Sequence, residues 1–427
     1  MVAGYRPPSP RHRRPLAYMT LPRNPRVFDV LTGTVFLIPP VGVAATMGVV
    51  PLFLVAGLCA LRIAVLRGQV KACFPMVLTA LVVAFTAYGC LSAVWALDPF
   101  RALSLTAKLG FLSLCGMVVI GVLARLEGDE RRRIERALLA GFLFAALLMA
   151  VAVIYATITD DSLWSNHSGD PLTTISKGET ILGLLLWPVA AALWRESGTH
   201  AAAACIAMAI GGFFFLPHVA VLASLAAGAA ACFAVMLFKR RAAVIMGLAF
   251  SALILLAPLL MRAVPSGDVM FEKVGSVYPS AVHRIYMWHF VTDRIAERPI
   301  LGWGMDSSRR IPGAHEKLRK DPLGLWKQEI LPLHPHNVVL QTWLELGLVG
   351  AALMAVLVAL VFVQCARSGT PLFETALCSA VATGYLAAGS LSYGAWQNWW
   401  FSFGWIAAAL VLAVSLEGKS RMANGGD

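Results

Sequence analysis

Two histidines and an asparagine stand together just before an apolar run, in the stretch LPLHPHNVVLQTWLELGLVG (331–350). His334 followed by Pro335 predicts a helix start, because proline is favoured at the first helical position. His336 and Asn337 should then lie in the first turn. The partial positive charge and free N–H groups of a helix N-terminus suit a phosphate group. The same field keeps a histidine neutral, so the segment predicts a proton acceptor beside a phosphate site.

Two further polar residues, Gln341 and Glu345, follow inside the apolar run. With Asn337 they recur every four residues and should therefore share one face of the predicted helix. An ionisable group inside a membrane span is costly to bury and by default faces a cavity or a polar partner. The alternative is that these groups only satisfy one another at a wet helix end. Gly347 and Gly350 would allow another helix to approach closely.

A second group of candidates lies upstream, in AVHRIYMWHFVTDRIAERPILGWGMDSSRRIPG (281–313). Apolar residues recur there at steps of three and four, which predicts an amphipathic helix lying on the membrane surface. This stripe consists of Ile285, Trp288, Thr292 and Ile295. Arginines can bind phosphate through paired hydrogen bonds, although surface arginines are more often only solvated. The arginines of this stretch are Arg284, Arg294, Arg298, Arg309 and Arg310, and Arg284 stands out because its turn also holds His283 and Trp288.

The composition shows what kind of elements must position these residues. Of the 427 residues, 59% are hydrophobic and only 14% are charged. Soluble domains are about 25% charged, so the chain is expected to be an integral membrane protein. The eight cysteines show no CxxC pair and no zinc-like spacing, and we expect them to be small core residues.

About twelve apolar runs are long enough to cross a bilayer, which takes roughly 20 residues. They are 27–48, 51–66, 73–95, 102–124, 137–158, 179–194, 201–216, 219–238, 242–261, 337–364, 371–392 and 398–416. Basic residues collect in every second connection between these runs, as expected for cytoplasmic loops. The sequence therefore predicts an all-α polytopic membrane protein of about twelve transmembrane helices, with both termini in the cytoplasm.

The predicted organisation has five parts. They are a basic cytoplasmic tail (1–26), nine transmembrane helices (27–261), one large outward loop (262–336), three more transmembrane helices (337–416) and a cytoplasmic tail (417–427). The first part lacks the apolar core and cleavage site of a signal peptide. A second, shorter outward segment spans 159–178. Outward acidic residues form no Asp-x-Asp motif and no ligand-like cluster, so we expect no metal site.

The segments HRIYMWH, ERPILGWG and HPHNVVLQTWLELGLVG together resemble the O-antigen ligase superfamily over roughly 283–350. Members of that superfamily are polytopic glycosyltransferases of the bacterial inner membrane with a large periplasmic loop. The resemblance implies an all-α, GT-C-like architecture and an active site on the periplasmic side. The sequence motifs HPHNxxLQxWLELG and GWGxDxSR favour the ligases within the superfamily.

The resemblance also implies a reaction. The donor would be a glycan linked to undecaprenyl diphosphate, and the acceptor would be a sugar hydroxyl of lipid A-core, with inversion at C1 and without metal or cofactor. His336 matches the essential histidine of the family, and Arg284 matches its loop arginine. His334, Asn337 and Arg309 are further candidates for binding the donor diphosphate or the acceptor. Membrane lipids are expected around the protein, and nucleic acid is not expected as a partner.

One position departs from the family pattern. Relatives usually carry an arginine after the seventh span, in a sequence like Ser-Arg-Gly, whereas this chain has His218 in FFFLPHVAVLAS. A protonated His218 could contribute the missing positive charge. Lys108, Lys177 and Arg262 could supply it instead, because all three lie near the outer face in the predicted topology.

Two alternatives to a ligase stay open at this point. A polymerase of the same superfamily would use a second lipid-linked repeat as its acceptor, and such enzymes often have two comparable periplasmic loops. A transporter or flippase would place ionisable groups near the middle of the membrane, on broken helices. Here the polar candidates cluster at the outer face, which favours an enzyme.

Overall fold

The computed structural model describes residues 25–159, 172–214, 218–274, 279–318 and 329–415. The regular structure in these ranges is helical, and a single β-bridge pairs Lys317 with Glu329. The α-helices of the described ranges are α1 (Pro25–Ala44), α2 (Val49–Leu66), α3 (Met76–Ser92), α4 (Pro99–Leu123), α5 (Gly128–Thr159), α6 (Leu172–Ser197), α7 (Thr199–Phe214), α8 (Val219–Phe238), α9 (Arg240–Arg262), α10 (Gly267–Val274), α11 (Pro279–Glu297), α12 (Val338–Cys365), α13 (Leu372–Leu391) and α14 (Asn398–Ser415).

The helices confirm an all-α polytopic membrane protein. Each of the twelve predicted apolar runs falls on one helix, from α1 to α9 and from α12 to α14. Within the described ranges, eight helices are long and apolar enough to cross a membrane, namely α1, α2, α4, α5, α8, α9, α12 and α13. Helix α3 and parts of α7 and α14 are shorter apolar helices. The number of crossings, and the division of the chain into five parts, remain predictions.

Two helices begin earlier than the apolar pattern indicates. Helix α5 begins at Gly128, within the predicted cytoplasmic connection, because acidic residues in its first turn complement the helix dipole. An ion pair between Arg131 and Glu135 of 3.1 Å supports the same polar turns. Helix α6 begins at Leu172, within the predicted outward segment 159–178. Apolar composition therefore marks the part of a helix inside the membrane and misses its polar extension.

Helix α12 is broken at Gly347, where φ is 60° and ψ is −157°. This backbone conformation is essentially restricted to glycine. The segment 299–304 of the large loop fits into the break, and a Cβ atom on Gly302 would meet the carbonyl carbon of Glu345 at 2.5 Å. The sequence predicted that a helix approaches Gly347; a loop segment does so instead. Four backbone bonds join the two segments. Trp303 N–H donates to Leu344 O at 2.9 Å and Gly304 N–H to Glu345 O at 2.8 Å. In the other direction, Leu348 N–H donates to Pro299 O at 2.9 Å and Val349 N–H to Ile300 O at 3.4 Å.

Helix α11 is the amphipathic helix that the periodicity predicted, and it packs on α9 and α12. Thr292 and Ile295 of the predicted stripe are buried. Trp288 of the same stripe donates from its indole N–H to the Pro335 carbonyl at 2.8 Å. The predicted contact of these three residues with the membrane surface is therefore wrong. They contact the protein instead, because α11 packs on α9 and α12 and next to the His-Pro-His segment.

Candidate active site

His336 lies outside helix α12, in a left-handed conformation with φ of 50°. The predicted helix start at Pro335 is therefore wrong. Asn337 is the N-cap residue, and its side-chain oxygen accepts from the N–H groups of Val339 and Leu340, both at 3.0 Å. An asparagine N-cap satisfies two N–H donors of the first turn. This stabilises a helix start after Asn337 more than proline at the first helical position would stabilise a start at Pro335.

The imidazole of His336 is held in one tautomer. Its Nδ1–H donates to the carbonyl oxygen of Ser392 at 2.7 Å, in the connection between α13 and α14. Because Nδ1 carries the proton, Nε2 is left as the basic nitrogen. Burial lowers the pKa of His336 to about 4, with further lowering by the charges of Arg284 and His283 against the opposing effect of the Ser392 bond. His336 is therefore neutral near pH 7 and can accept a proton.

His334 is fixed by contacts on both ring nitrogens. Its Nδ1 accepts from the backbone N–H of His336 at 3.3 Å, and the side-chain amide of Gln397 lies 2.9 Å from Nε2. The two histidine rings are 4.4 Å apart between centroids. Burial lowers the pKa of His334 to about 3, with smaller contributions from His336 and Arg309. His334 thus serves to hold the His336 segment in place.

Arg284 approaches the same place from helix α11. Its Nη1 donates to the Ser280 hydroxyl at 2.9 Å, and its buried Nε has no hydrogen-bond partner among the described residues. Burial lowers the pKa of the guanidinium, whose charge reaches both His336 and Tyr393. The guanidinium nevertheless stays protonated in proteins. A partly buried cation with an unused donor near a neutral histidine is an arrangement suited to an anionic ligand.

Tyr393 connects this site to helix α6. Its hydroxyl lies 2.6 Å from the Thr180 hydroxyl, and its ring packs on Trp399 and Trp400 with centroid distances of 4.9 and 4.6 Å. Burial raises the pKa of Tyr393. The sequence analysis missed this residue, and also Ser392 and Gln397. The available signal was the polar and aromatic stretch SLSYGAWQNWW between two apolar runs, which lies on the outward side in the predicted topology.

His218 faces an acidic residue. It is the N-cap residue of α8, and its Nε2 lies 3.8 Å from a carboxyl oxygen of Glu179 on α6. Glu179 is 1% exposed. The two side chains form an ion pair only when His218 is protonated and Glu179 is ionised. Sequence reasoning missed Glu179, which stands in SKGETILGL at the start of an apolar run.

Glu345 and Gln341 form an anchor for the loops around the site. Glu345 is fully buried and accepts from the Ser308 hydroxyl, from the Asp306 N–H at 2.5 Å and from the Trp396 indole at 2.7 Å. Gln341 donates to Glu345 at 3.0 Å, and its own oxygen accepts from the Ala395 N–H at 2.8 Å. Glu345 thus faces polar partners in the loops, as expected for an ionisable group in a span, and its bond to Gln341 is one of several.

The other predicted cations lie in different surroundings. Arg309 is held by Asp306 at 3.2 Å, and its charge reaches His334. Lys177 is half-buried on α6, two residues before Glu179. Lys108 on α4 and Arg262 at the end of α9 are both exposed, and no contact found in the described ranges joins either of them to the histidines. The structure thus brings together His334, His336, Arg284 and Arg309 but leaves Lys108 and Arg262 outside that group.

A cavity of about 710 Å³ lies between helices α8, α9, α12 and α13. Alanine side chains of α8 form one wall, and larger apolar side chains of α9 form another. Trp288 of α11 and Asn337, the N-cap residue of α12, also line the cavity. Asn337 directly follows His336, so this apolar cavity ends next to the histidine site.

Comparison with known proteins gives matches over the region that holds most of this site. Residues 183–355 match the family model described as "O-Antigen ligase". This range contains Arg284, both histidines, the break in α12 and Glu345.

Curated relatives match over a similar extent. A protein of Rickettsia conorii named "Putative polysaccharide ligase" is 37% identical over 161 residues, which cover 38% of each chain. The relatives from Rickettsia felis and Rickettsia prowazekii are 37% and 38% identical over 161 residues, covering 38% of this chain and 39% of their own. The match thus spans about two fifths of these relatives. Over residues 183–355 the chain is therefore similar to the O-antigen ligase superfamily, and the putative polysaccharide ligases support the same assignment.

Proposed function

We propose that this protein is an O-antigen ligase, which transfers a glycan from undecaprenyl diphosphate to a sugar hydroxyl of lipid A-core. One observation carries the proposal: the Ser392 carbonyl holds the proton of His336 on Nδ1, so that Nε2 is basic near the partly buried guanidinium of Arg284. A base and a cation are the two groups that transfer from a sugar diphosphate to a hydroxyl requires.

In the proposed reaction His336 Nε2 takes the proton of the acceptor hydroxyl while its oxygen attacks C1 of the first donor sugar. The bond between C1 and the diphosphate oxygen breaks, and its electron pair leaves with undecaprenyl diphosphate. Attack opposite the leaving group inverts C1. Arg284 stabilises the negative charge on the departing diphosphate through charge-assisted hydrogen bonds. His336 Nε2 then releases the proton to the departing diphosphate or to solvent, which restores the neutral base.

The apolar cavity supports a lipid-linked donor. We assign it to the polyprenyl chain, because its walls are apolar side chains of four helices and its end at Trp288 and Asn337 adjoins His336. Trp288 and Arg284 are four residues apart on α11 and therefore lie on the same side of that helix. A chain in the cavity would thus deliver its diphosphate toward Arg284. Arg262, which follows the lining residue Met261, could add charge there.

The helix order supports an outward-facing site in the bacterial inner membrane. The site residues lie at or near the N-terminal ends of α6, α8, α12 and α14, which start on the same side if the helices alternate. The opposite ends carry ion pairs such as Arg67–Glu130 and Arg195–Glu135. Because basic residues favour the cytoplasmic side, the proposed site faces the periplasm and both termini face the cytoplasm.

The test uses the purified protein in detergent with the lipid-linked glycan as donor and two competing acceptors. Formation of glycan-bearing lipid A-core, with free undecaprenyl diphosphate in equal amount, is the expected result. Elongation of a second lipid-linked repeat in place of lipid A-core would identify a polymerase. Movement of intact labelled donor across proteoliposomes, with no new glycoconjugate, would identify a transporter and contradict the proposal.

A further inference from the structure

The carboxyl group of Glu179 is buried without the contacts that normally accompany such a group. It is 1% exposed, and neither of its oxygens has a hydrogen-bond partner within the described residues. Glu345 shows the usual arrangement, since it is equally buried but accepts bonds from four different groups. A buried carboxyl group without donors is costly. Both carboxyl oxygens are therefore candidates for binding a ligand.

The position of Glu179 relates it to the proposed reaction. The residue after it, Thr180, contacts the Tyr393 hydroxyl at 2.6 Å. Tyr393 lies within reach of the charges of both Glu179 and Arg284, and Arg284 in turn acts on His336. Tyr393 therefore lies near both the acidic group and the cation. His218 stands beside Glu179, with 3.8 Å between Nε2 and the carboxyl oxygen.

We propose that Glu179 and His218 form the subsite for the acceptor sugar, binding two neighbouring hydroxyl groups next to the one that reacts. This inference rests on the proposed function, since it assigns the acceptor end of that same site. Two vicinal hydroxyls can donate to the two oxygens of one carboxyl group, which satisfies both unpaired atoms. The separation of 3.8 Å between Glu179 and His218 also leaves room for one hydroxyl to contact both residues.

The reaction geometry assigns this pair to the acceptor and not to the diphosphate. Inversion requires the acceptor oxygen and the leaving diphosphate to lie on opposite faces of C1. The cation Arg284 marks the diphosphate side. An acidic group supplies no positive charge and repels an anion whenever it is ionised, so the pair is unsuited to a diphosphate. Glu179 is therefore a specificity residue for a neutral polyhydroxy ligand.

The deciding variant is Glu179→Gln, which keeps the side-chain volume and removes the acid. The matched control is Glu374→Gln. Glu374 is also buried and also has an oxygen without a hydrogen-bond partner in the described structure, but it stands at the start of α13, near Arg131 and Arg195. Acceptor binding is measured by thermal shift, which needs no turnover. The probes are lipid A-core, the lipid-linked repeat, and methyl glycosides of the terminal core sugar with single hydroxyls replaced by hydrogen.

We expect Glu179→Gln to raise the acceptor Kd and KM about tenfold, as for the loss of one or two hydrogen bonds. Donor Kd should change less than about twofold, a shift too small to reflect a lost hydrogen bond. The melting temperature without ligand should stay equal or rise, because an amide is cheaper to bury than an acid. A deoxy glycoside that binds wild type weakly should bind Glu179→Gln as well as the complete glycoside does.

Three results would overturn the assignment. One is an unchanged acceptor Kd in Glu179→Gln, or a loss equal to that of Glu374→Gln. Another is a lower melting temperature that accounts for the loss of binding, which indicates a structural role. The third is a wild-type protein that no probe stabilises. Failure of the proposed function itself is distinguishable, because it appears as absence of transfer by wild type with either acceptor.

Discussion

The Nδ1–H of His336 donates to the carbonyl oxygen of Ser392 across 2.7 Å, although 56 residues separate them in the chain. This bond determines which nitrogen of His336 is basic. Because the acceptor is a backbone carbonyl between α13 and α14, the orientation of the ring depends on how those helices pack against α12. The chemistry assigned to one loop histidine is thus set by the last two helices of the bundle.

Replacing His336 by alanine should abolish transfer while leaving insertion and folding intact. General-base assistance is typically worth about 10²–10⁴-fold, so turnover should fall at least about a hundredfold. The measurement is initial rate of purified protein at saturating donor and acceptor. His289→Ala is the control, because His289 lies on α11 with Arg284 and its ring contacts the Pro265 carbonyl. A His336→Ala protein that keeps more than about a tenth of wild-type turnover would contradict the base role.

The pH dependence of kcat/KM should show no loss through pH 6.5, the ordinary histidine value. Burial lowers the pKa of His336 to about 4, so the basic form persists well below neutrality and disappears only as pH falls toward 4. The unfolded chain binds these protons near 6.5, so stability should also decline as pH falls from about 6.5 toward 4. A kcat/KM profile from pH 5 to 8 with an inflection near 6.5 would refute this assignment.

Replacing Arg284 by lysine should already weaken donor binding, by about tenfold or more. A lysine retains the charge but cannot present two parallel donors to a diphosphate. Competition by free undecaprenyl diphosphate gives the affinity directly. Arg294→Lys is a control on the same helix, where the arginine is paired with Glu297 at 2.6 Å. Equal affinity of Arg284→Lys and wild type for that lipid would remove Arg284 from the diphosphate site.

Filling the apolar cavity should affect the donor and spare the acceptor. Ala230 lines the cavity on α8, whereas its exposed neighbour Ala229 does not. Ala230→Trp should raise the donor KM about tenfold, because displacing two or three methylene groups from apolar contact costs about 0.8 kcal/mol each. Ala229→Trp should behave like wild type. If both variants have the same donor KM, the polyprenyl chain lies elsewhere.

Replacing Glu345 by alanine should destabilise the protein without any direct chemical role. The Ser308, Gln341 and Trp396 side chains would lose a buried acceptor, and each unsatisfied donor costs about 1–3 kcal/mol. We expect a melting temperature lower by several degrees and weaker protection of residues 299–310 in hydrogen exchange. Glu127→Ala, at an exposed position, provides the comparison. A stable Glu345→Ala protein that has lost only turnover would point to catalysis instead.

Apolar runs predicted the helices closely, because each membrane segment must satisfy its backbone internally and therefore forms a helix. Helix α8, for example, has the predicted bounds of 219 and 238. Arg284 and His336 were found by their motif. Ser392 could not be found in this way, since it acts through a backbone carbonyl that any residue provides. The prediction of a helix start at Pro335 was wrong. Proline at the first helical position and asparagine at the N-cap were competing preferences, and only the packing of His336 decides between them.

The break in α12 also determines how parts of this protein can be exchanged with those of its relatives. Segment 299–304 and the helix around Gly347 fit by backbone bonds in one register, and Gly302 admits no side chain there. A chimera that takes only the large loop from a relative therefore receives one of the two segments that must fit together. The smallest transferable unit is the loop together with α12 through Gly350, so acceptor or donor preference should be inherited with that unit as a block.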